Sequence, residues 1–365
     1  MSQETEDRIT SQNHIDLKDW YIKEKNSFEF LAKKVAMLLE DLIKTNEIEH
    51  HSITYRTKDL DSLITKVKIK NYTDPQNQVH DYAGIRIVTF VKSDVLKICE
   101  LIEREFNIDL ENSSDKSEEL GEDKVGYRSV HYIARLNNQR SELSEYSLFR
   151  EKCFEIQVRT ILEHAWADIS HDRTYKFDNI LPEKNEIRRR FALASASLEM
   201  IDREFDRLSN EIKDYSLEVS HSTKHGNLIH NIDSTSLIAY MNEKFLEQIN
   251  QKLVDPTLKN TDKEIIIELN SMGIYRLDQL DEVLNKIIAL DYLTLSKIYD
   301  DLSFLSILRD SLMIHDINLY LTKAINGHWT AIEPEGIKLL KHFIPDIESI
   351  FENFNIYILN SYSSL

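Results

Sequence analysis

Residues that make tight turns are scarce in this 365-residue sequence, which has seven glycines and five prolines. Antiparallel sandwiches and barrels place such residues at nearly every connection, so their shortage argues against those folds. It argues equally against collagen-like or Pro/Gly-rich disordered chains and favours a helix-rich protein. Cysteine is rarer still. Cys99 and Cys153 are the whole complement, too few for a disulfide framework or a Cys-based zinc site, and they suit a reducing, cytoplasmic compartment. There is no apolar run of membrane-spanning length, and the start, MSQETEDRITSQNHIDLKDW, has neither a basic nor an apolar leader region. A chain that is neither secreted nor membrane-spanning is expected. Positive charge is also short. The 45 Lys and Arg stand against 63 Asp and Glu, for a formal charge of −18. A polyanion would be repelled, so any nucleic-acid contact needs a local basic patch.

The length predicts two domains more readily than one. Residues 1–18 are polar. From Ser27 an apolar stripe recurs at helical spacing through Phe28, Leu31, Val35, Leu38 and Leu42. Ser52–Thr57 reads as a strand leading to Asp59, an N-cap for a helix carrying Leu63 and Val67. GIRIVTFV (84–91) reads as a buried strand, and a helix from Ser93 runs through Phe106. Residues 109–123 hold seven acids and one base, which predicts a solvated loop. GYRSVHYIARL (126–136) and CFEIQVRT (153–160) read as two more strands. In the latter, Phe154, Ile156 and Val158 alternate with Glu155, Gln157 and Arg159. From Ile161 the pattern is helical almost to the end. The polar gap 220–227, with Gly226, reads as a domain boundary. Beyond it, residues 228–365 hold 20 acids and 11 bases, a charge of −9.

Four polar constellations in the first half can carry chemistry. Arg56, Lys58, Ser62 and Lys66 gather donors at a strand-to-helix junction, which suits a polyphosphate. Asp81 lies just before a buried strand bearing Arg86, a pairing that suits Mg²⁺ and phosphate. Tyr127, Ser129 and His131 put a stacking ring and an imidazole on one strand face. Glu155, Gln157 and Arg159 put a carboxylate, an amide and a guanidinium on another. Each has a plainer counterpart: a basic helix face, a turn Asp in a salt bridge, a Tyr at a sheet edge, a cross-strand ion pair. Together they suit two nucleotides with Mg²⁺. No G-x-x-x-x-G-K-[ST] loop and no kinase Gly-rich loop is present.

At these residues the sequence resembles the synthetase domain of the RelA/SpoT family, the (p)ppGpp or alarmone synthetases, over roughly residues 25–215. R-x-K-x-x-x-S-x-x-x-K is Arg56, Lys58, Ser62 and Lys66. D-x-x-G-I-R is Asp81, Gly84, Ile85 and Arg86. G-Y-x-S-x-H is Gly126, Tyr127, Ser129 and His131. E-x-Q-x-R-T is Glu155, Gln157, Arg159 and Thr160.

The resemblance implies an α+β fold, a nucleotidyltransferase-like mixed β-sheet flanked by helices, over residues 25–219. A polar segment, 1–24, precedes it and an all-α, regulatory C-terminal domain, 228–365, follows. It implies transfer of the β,γ-pyrophosphate of ATP to the ribose 3′-hydroxyl of GDP or GTP. Asp81 and Glu155 would be the catalytic and Mg²⁺-binding pair. Arg56, Lys58, Ser62, Lys66 and Arg86 would hold ATP, while Tyr127, His131, Gln157 and Arg159 would hold the acceptor.

Two departures from the family stand out. The basic stretch that many members carry before Gly-Tyr is replaced by an acidic loop ending GEDKV, which leaves Lys124 as a partial substitute. The family's metal-dependent hydrolase domain is absent, with His171-Asp172 a lone dipeptide of structural character. His164, Trp166 and Asp168 read as core or supporting residues. Without a hydrolase half, two other readings stay open. One is a toxic relative that pyrophosphorylates the tRNA 3′ end or adenine nucleotides, restrained by an antitoxin or regulatory protein. The other is a catalytically inactive nucleotide-binding regulator. The basic clusters available to tRNA are Lys66, Lys68 and Lys70, and Arg188, Arg189 and Arg190. Oligomeric state is also left open.

Overall fold

A computed structural model describes residues 3–115, 129–177, 184–258, 263–296, 302–325 and 330–359. Contacts divide the chain into two compact units, Met1–Ser209 and Asn210–Leu365. In the first, a long helix α1 (Gln3–Thr45) leads into β1 (Ser52–Thr57), α2 (Leu60–Lys70), β2 (Ala83–Thr89) and α3 (Lys92–Glu105). β3 (Phe106–Asp115), β4 (Val130–Leu136) and β5 (Phe154–Thr160) complete a five-stranded sheet of order β1-β2-β5-β4-β3. The β2–β5 pair is parallel and the other three are antiparallel. Helices α4 (Ile161–Phe177) and α5 (Lys184–Lys224) follow.

The polar start is the opening of α1, whose buried stripe begins earlier than the sequence suggests. Leu17 and Tyr21 join Phe28, Leu31, Val35, Leu39 and Ile43 in the core. The stripe recurs every three or four residues and packs one helix face on the sheet. Ala83, Ile85, Ile87, Phe154, Ile156 and Val158 form the sheet's side of that core, with Val95, Ile98 and Ile102 of α3. Asp59 caps α2 as expected, accepting the Ser62 amide at 3.0 Å.

The loop expected over 109–123 is corrected in its first part, because residues 106–115 form the edge strand β3. Its register against β4 shifts between Asp109 and Ser114. Within that irregularity Asp109 accepts the Asn112 amide at 3.2 Å, and Ser113 Oγ takes up the β4 amide of Ile133 at 2.9 Å. An edge strand with a bulge tolerates charge because one side of its ladder faces water.

In the second unit, α6 (Ser234–Lys244), α7 (Lys263–Ser271), α8 (Leu277–Ala289), α9 (Phe304–His315), α10 (Pro334–Lys341) and α11 (Ile347–Asn353) enclose a core that includes Leu237, Leu269, Leu284, Leu308, Leu340 and Phe351. The helical expectation is met, with two short parallel pairings added: Val254–Asp255 with Leu302–Ser303, and Ala331–Ile332 with Tyr357–Ile358. The stretch 220–227 closes α5, with Gly226 at φ 73° and the Asn227 amide bonded to Ser222 O at 2.9 Å. The division between units falls upstream, inside that helix. No helix among the described residues is long and apolar enough to cross a membrane.

Candidate active site

The polar face of the sheet is built by register. Gly84 and Arg86 of β2 lie opposite Glu155 and Gln157 of β5. Arg56 of β1 lies opposite Gly84, and His131 of β4 opposite Gln157. The pleat therefore puts Arg56, Arg86, His131, Glu155 and Gln157 on one face while the apolar residues of β2 and β5 fill the other. Gly84 has no side chain on this face, and the Arg56 side chain lies beside the bare position, its Cγ 3.8 Å from where a Cβ would stand.

Glu155 is held at both oxygens. Its Oε1 bonds His131 Nδ1 at 2.9 Å, and its Oε2 accepts the Gln157 side-chain amide at 2.9 Å. His131 Nε2 in turn meets the hydroxyl of Ser129, which is fully buried, at 2.6 Å. Burial pushes the Glu155 carboxyl up. The His131 and Gln157 bonds outweigh it, and the net displacement is below the ordinary glutamate value. Ser129, His131 and Glu155 form a hydroxyl–imidazole–carboxylate chain like that of a hydrolytic triad, but a fully buried serine is no nucleophile. Its role is to fix the imidazole.

Asp81 precedes β2 and receives two ammonium groups on Oδ2, from Lys58 at 2.6 Å and Lys66 at 2.9 Å. Burial again pushes the carboxyl up, and the two lysines more than reverse it. Lys58 is fixed from behind by Tyr21 of α1, whose hydroxyl donates to the Lys58 carbonyl at 2.5 Å. Burial, with Asp59 and Asp81 nearby, pushes that phenol up to about 12. Asp81 Oδ1 is buried and has no hydrogen-bond partner among the described residues. No group of three or more His, Cys, Asp or Glu side chains converges as a preformed metal cage among those residues. One or two carboxylates completed by phosphate oxygens and water is, however, the usual Mg²⁺ arrangement. Asp81 Oδ1 beside Glu155 fits it.

The structure thus brings Lys58, Lys66 and Asp81 together, and His131, Glu155 and Gln157 together. Arg56 and Ser62 are exposed, whereas Arg159 is buried, 2% accessible. Gly126, Tyr127 and Lys124 lie outside the described residues, as do the side chains of His171, Asp172 and Arg188. Trp166 packs edge-on against Phe191 at 5.5 Å, and His164 Nδ1 is 3.6 Å from Asp168, in keeping with supporting roles.

Sequence reasoning named Ser129 and missed the other supports. Ser129 was legible from its i, i+2 relation to His131. Tyr21 and the group at the end of β5 leave no local signal. There Thr160 Oγ1 donates to Asp202 at 2.8 Å, Glu163 pairs with Lys92 at 3.2 Å, and the Ser93 amide bonds Asp206 at 2.7 Å. Burial pushes the Glu163 and Asp202 carboxyls up.

Residues 55–180 match the family described as the region found in RelA/SpoT proteins. The matched residues all lie within the first unit. The four motifs Arg56–Lys66, Asp81–Arg86, Gly126–His131 and Glu155–Thr160 all fall inside it. GTP pyrophosphokinase YjbM of Bacillus subtilis (strain 168) is 27% identical over 178 residues, 47% of this chain and 78% of YjbM. GTP pyrophosphokinase YwaC of the same organism is 27% identical over 143 residues, 38% of this chain and 64% of YwaC. Small alarmone synthetase 1 from Bacillus subtilis is similar at 22% identity and a TM-score of 0.45, over 54% of this chain and 99% of that one.

Proposed function

We propose that the RelA/SpoT region transfers the β,γ-pyrophosphate of ATP to the ribose 3′-hydroxyl of GDP or GTP, in the cytoplasm and with Mg²⁺, making (p)ppGpp. The observation that carries this reading is the pair of carboxylates at the parallel β2–β5 pairing, Glu155 on its polar face and Asp81 just before β2. Glu155 is pinned at both oxygens, and Asp81 is bracketed by two lysines with one buried oxygen still open. The RelA/SpoT match and two relatives named GTP pyrophosphokinase support it.

In this reading the 3′-oxygen attacks the β-phosphorus of ATP, the bond from that phosphorus to the α–β bridging oxygen breaks, and AMP leaves. The hydroxyl proton passes to Glu155, a base within a face that also holds the nucleotide. Lys58 and Lys66 turn from Asp81 to the triphosphate, with Ser62 beside them on α2. Arg56 and Arg86 flank the adenine across Gly84. Tyr127 stacks on the acceptor base, and His131, Gln157 and Arg159 line the acceptor side. Bound Mg²⁺, held by Asp81 and Glu155, would neutralise phosphate charge as the transfer proceeds. The protein's own contribution is positioning and a fixed field, which is most of what phosphoryl chemistry asks of it.

The test is incubation of the full chain with γ-labelled ATP, Mg²⁺ and separately GDP, GTP, AMP or tRNA, with products resolved by chromatography. Label on GDP or GTP is expected. Label on AMP or tRNA alone would replace the acceptor. Label on none would make the chain a nucleotide-binding regulator.

A further inference from the structure

The second unit has a cavity of about 270 Å³, open to solvent, between α9 and the segment entering α10. Its walls are apolar where Leu305, Met313 and Ile332 line it, and two charged groups of α9, Arg309 and Asp310, share its lining. Both are held from behind. Glu268, fully buried, takes Arg309 Nε at 3.1 Å and Nη2 at 2.7 Å, and Tyr320 donates to the same carboxylate at 2.7 Å. Glu264 lies 3.7 Å from the same Nη2, and the bonds of Arg309 to described residues all leave from Nε and Nη2, so Nη1 is the end of the fork left for a ligand. Asp310 is 5% accessible and accepts the Tyr292 hydroxyl on Oδ2 at 2.8 Å, with no described residue donating to Oδ1.

The facing segment repeats the pairing of signs. Glu333 lines the cavity immediately before Pro334 opens α10, and Gly336 lines it from the first turn of that helix. Pro334 has no N–H and the Ile337 amide donates to the Glu333 carbonyl at 3.3 Å, so the first turn of α10 has the Glu335 and Gly336 amides to offer. The cavity therefore holds a donor set, Arg309 Nη1 with the α10 amides, and an acceptor set, Asp310 with Glu333, beside an apolar wall. Burial pushes the Asp310 carboxyl up to about 7, and the Tyr292 bond alone pulls it back. No cation among the described residues compensates it.

We propose that this cavity binds a small zwitterion, an α-amino acid with an apolar side chain. The ammonium meets Asp310 and Glu333, the carboxylate meets Arg309 and the first turn of α10, and the side chain lies along Leu305, Met313 and Ile332. A simple anion would face two carboxyl groups, and a simple cation would face the guanidinium. A wholly apolar guest would seal Asp310 away from water without a partner. The volume is at the small end for ligand pockets, which suits an amino acid better than a nucleotide.

Titration calorimetry on the full chain with L-norleucine, hexanoate and pentylamine separates the parts of this idea. Norleucine is expected to bind with a Kd below about 1 mM, with the acid lacking the ammonium and the amine lacking the carboxylate each at least ~10-fold weaker. Asp310→Asn keeps an acceptor for Tyr292 and is expected to weaken norleucine at least ~10-fold. Ala331→Trp, which fills the cavity from the other wall, is expected to abolish binding even if the first variant folds poorly. Binding of pentylamine or hexanoate as tight as norleucine would replace the zwitterion with a simple ion. Absence of binding by norleucine, methionine and phenylalanine, or binding unchanged in both variants, would overturn the site.

Discussion

The sheet-side site and the cavity of the helical unit treat their buried acids in opposite ways. At the sheet-side site, Asp81 and Glu155 are both displaced below their ordinary values, because each receives at least two polar contacts, from lysines in one case and from an imidazole and an amide in the other. In the helical unit, Asp310 receives one neutral hydroxyl and is displaced upward, while Glu268, one turn of contacts away on Arg309, is fully buried as half of an ion pair. Burial alone always favours the neutral acid. What decides is how many donors face the carboxylate, and whether they are charged. The first arrangement keeps both acids ionised. The second holds one acid near the neutral point beside a pair whose value lies in not being broken.

That contrast can be tested by removing one element at a time. Glu155→Gln keeps shape and removes charge, so transfer of label from ATP should fall by at least ~10³-fold, measured under single-turnover conditions. Full activity in that variant would mean the sheet-face carboxylate is not the base. Glu268→Gln removes the buried half of the Arg309 ion pair, leaving Glu264 at 3.7 Å, and should cost about 1–3 kcal/mol of the second unit's stability in urea titrations.

Asp310→Asn should do the reverse. The acid's raised value means that native Asp310 is unpenalised below about pH 4, the unfolded value. Its cost grows as pH rises from there to about 7 and is constant above that. The non-titrating variant should therefore gain on the native protein across that window, by at most about 4 kcal/mol, read as the difference in Tm between pH 5 and pH 8. A gain independent of pH would remove Asp310 from the account. Ser129→Ala should have the smallest effect. It takes one hydrogen bond from His131 and should lower kcat several-fold, at most about tenfold, with little change in the KM for ATP.

Much of the first unit was legible because its signals are local. The alternation in CFEIQVRT located β5 and its two faces, and Asp59 followed by an apolar stripe located α2. β3 was not legible as a strand because seven acids over 109–123 outweigh the alternation of Phe106, Ile108 and Leu110, and its charge is tolerable only at an edge. The opening of α1 was missed because a polar sequence gives no stripe until its partners are known, and Tyr21 and Leu17 are buried by residues far along the chain. Within the site, motif spacing named Asp81, His131 and Glu155. Of the contacts that support them, Ser129 on His131 is local, two residues away, while Tyr21 on Lys58 follows from tertiary packing. The second unit was legible as helical and no further, since the pairing of Glu268 with Arg309 joins segments 41 residues apart.

The parallel pairing of β2 with β5 has a consequence for how the protein is made. It sets Gly84 against Glu155 across about 70 residues of intervening chain, a loop that must close before the ladder can form. A ribosome that has delivered β1, α2 and β2 has therefore placed Lys58, Lys66 and Asp81 but not Glu155. Until β5 emerges and inserts between β2 and β4, the nascent chain holds only half of the proposed site.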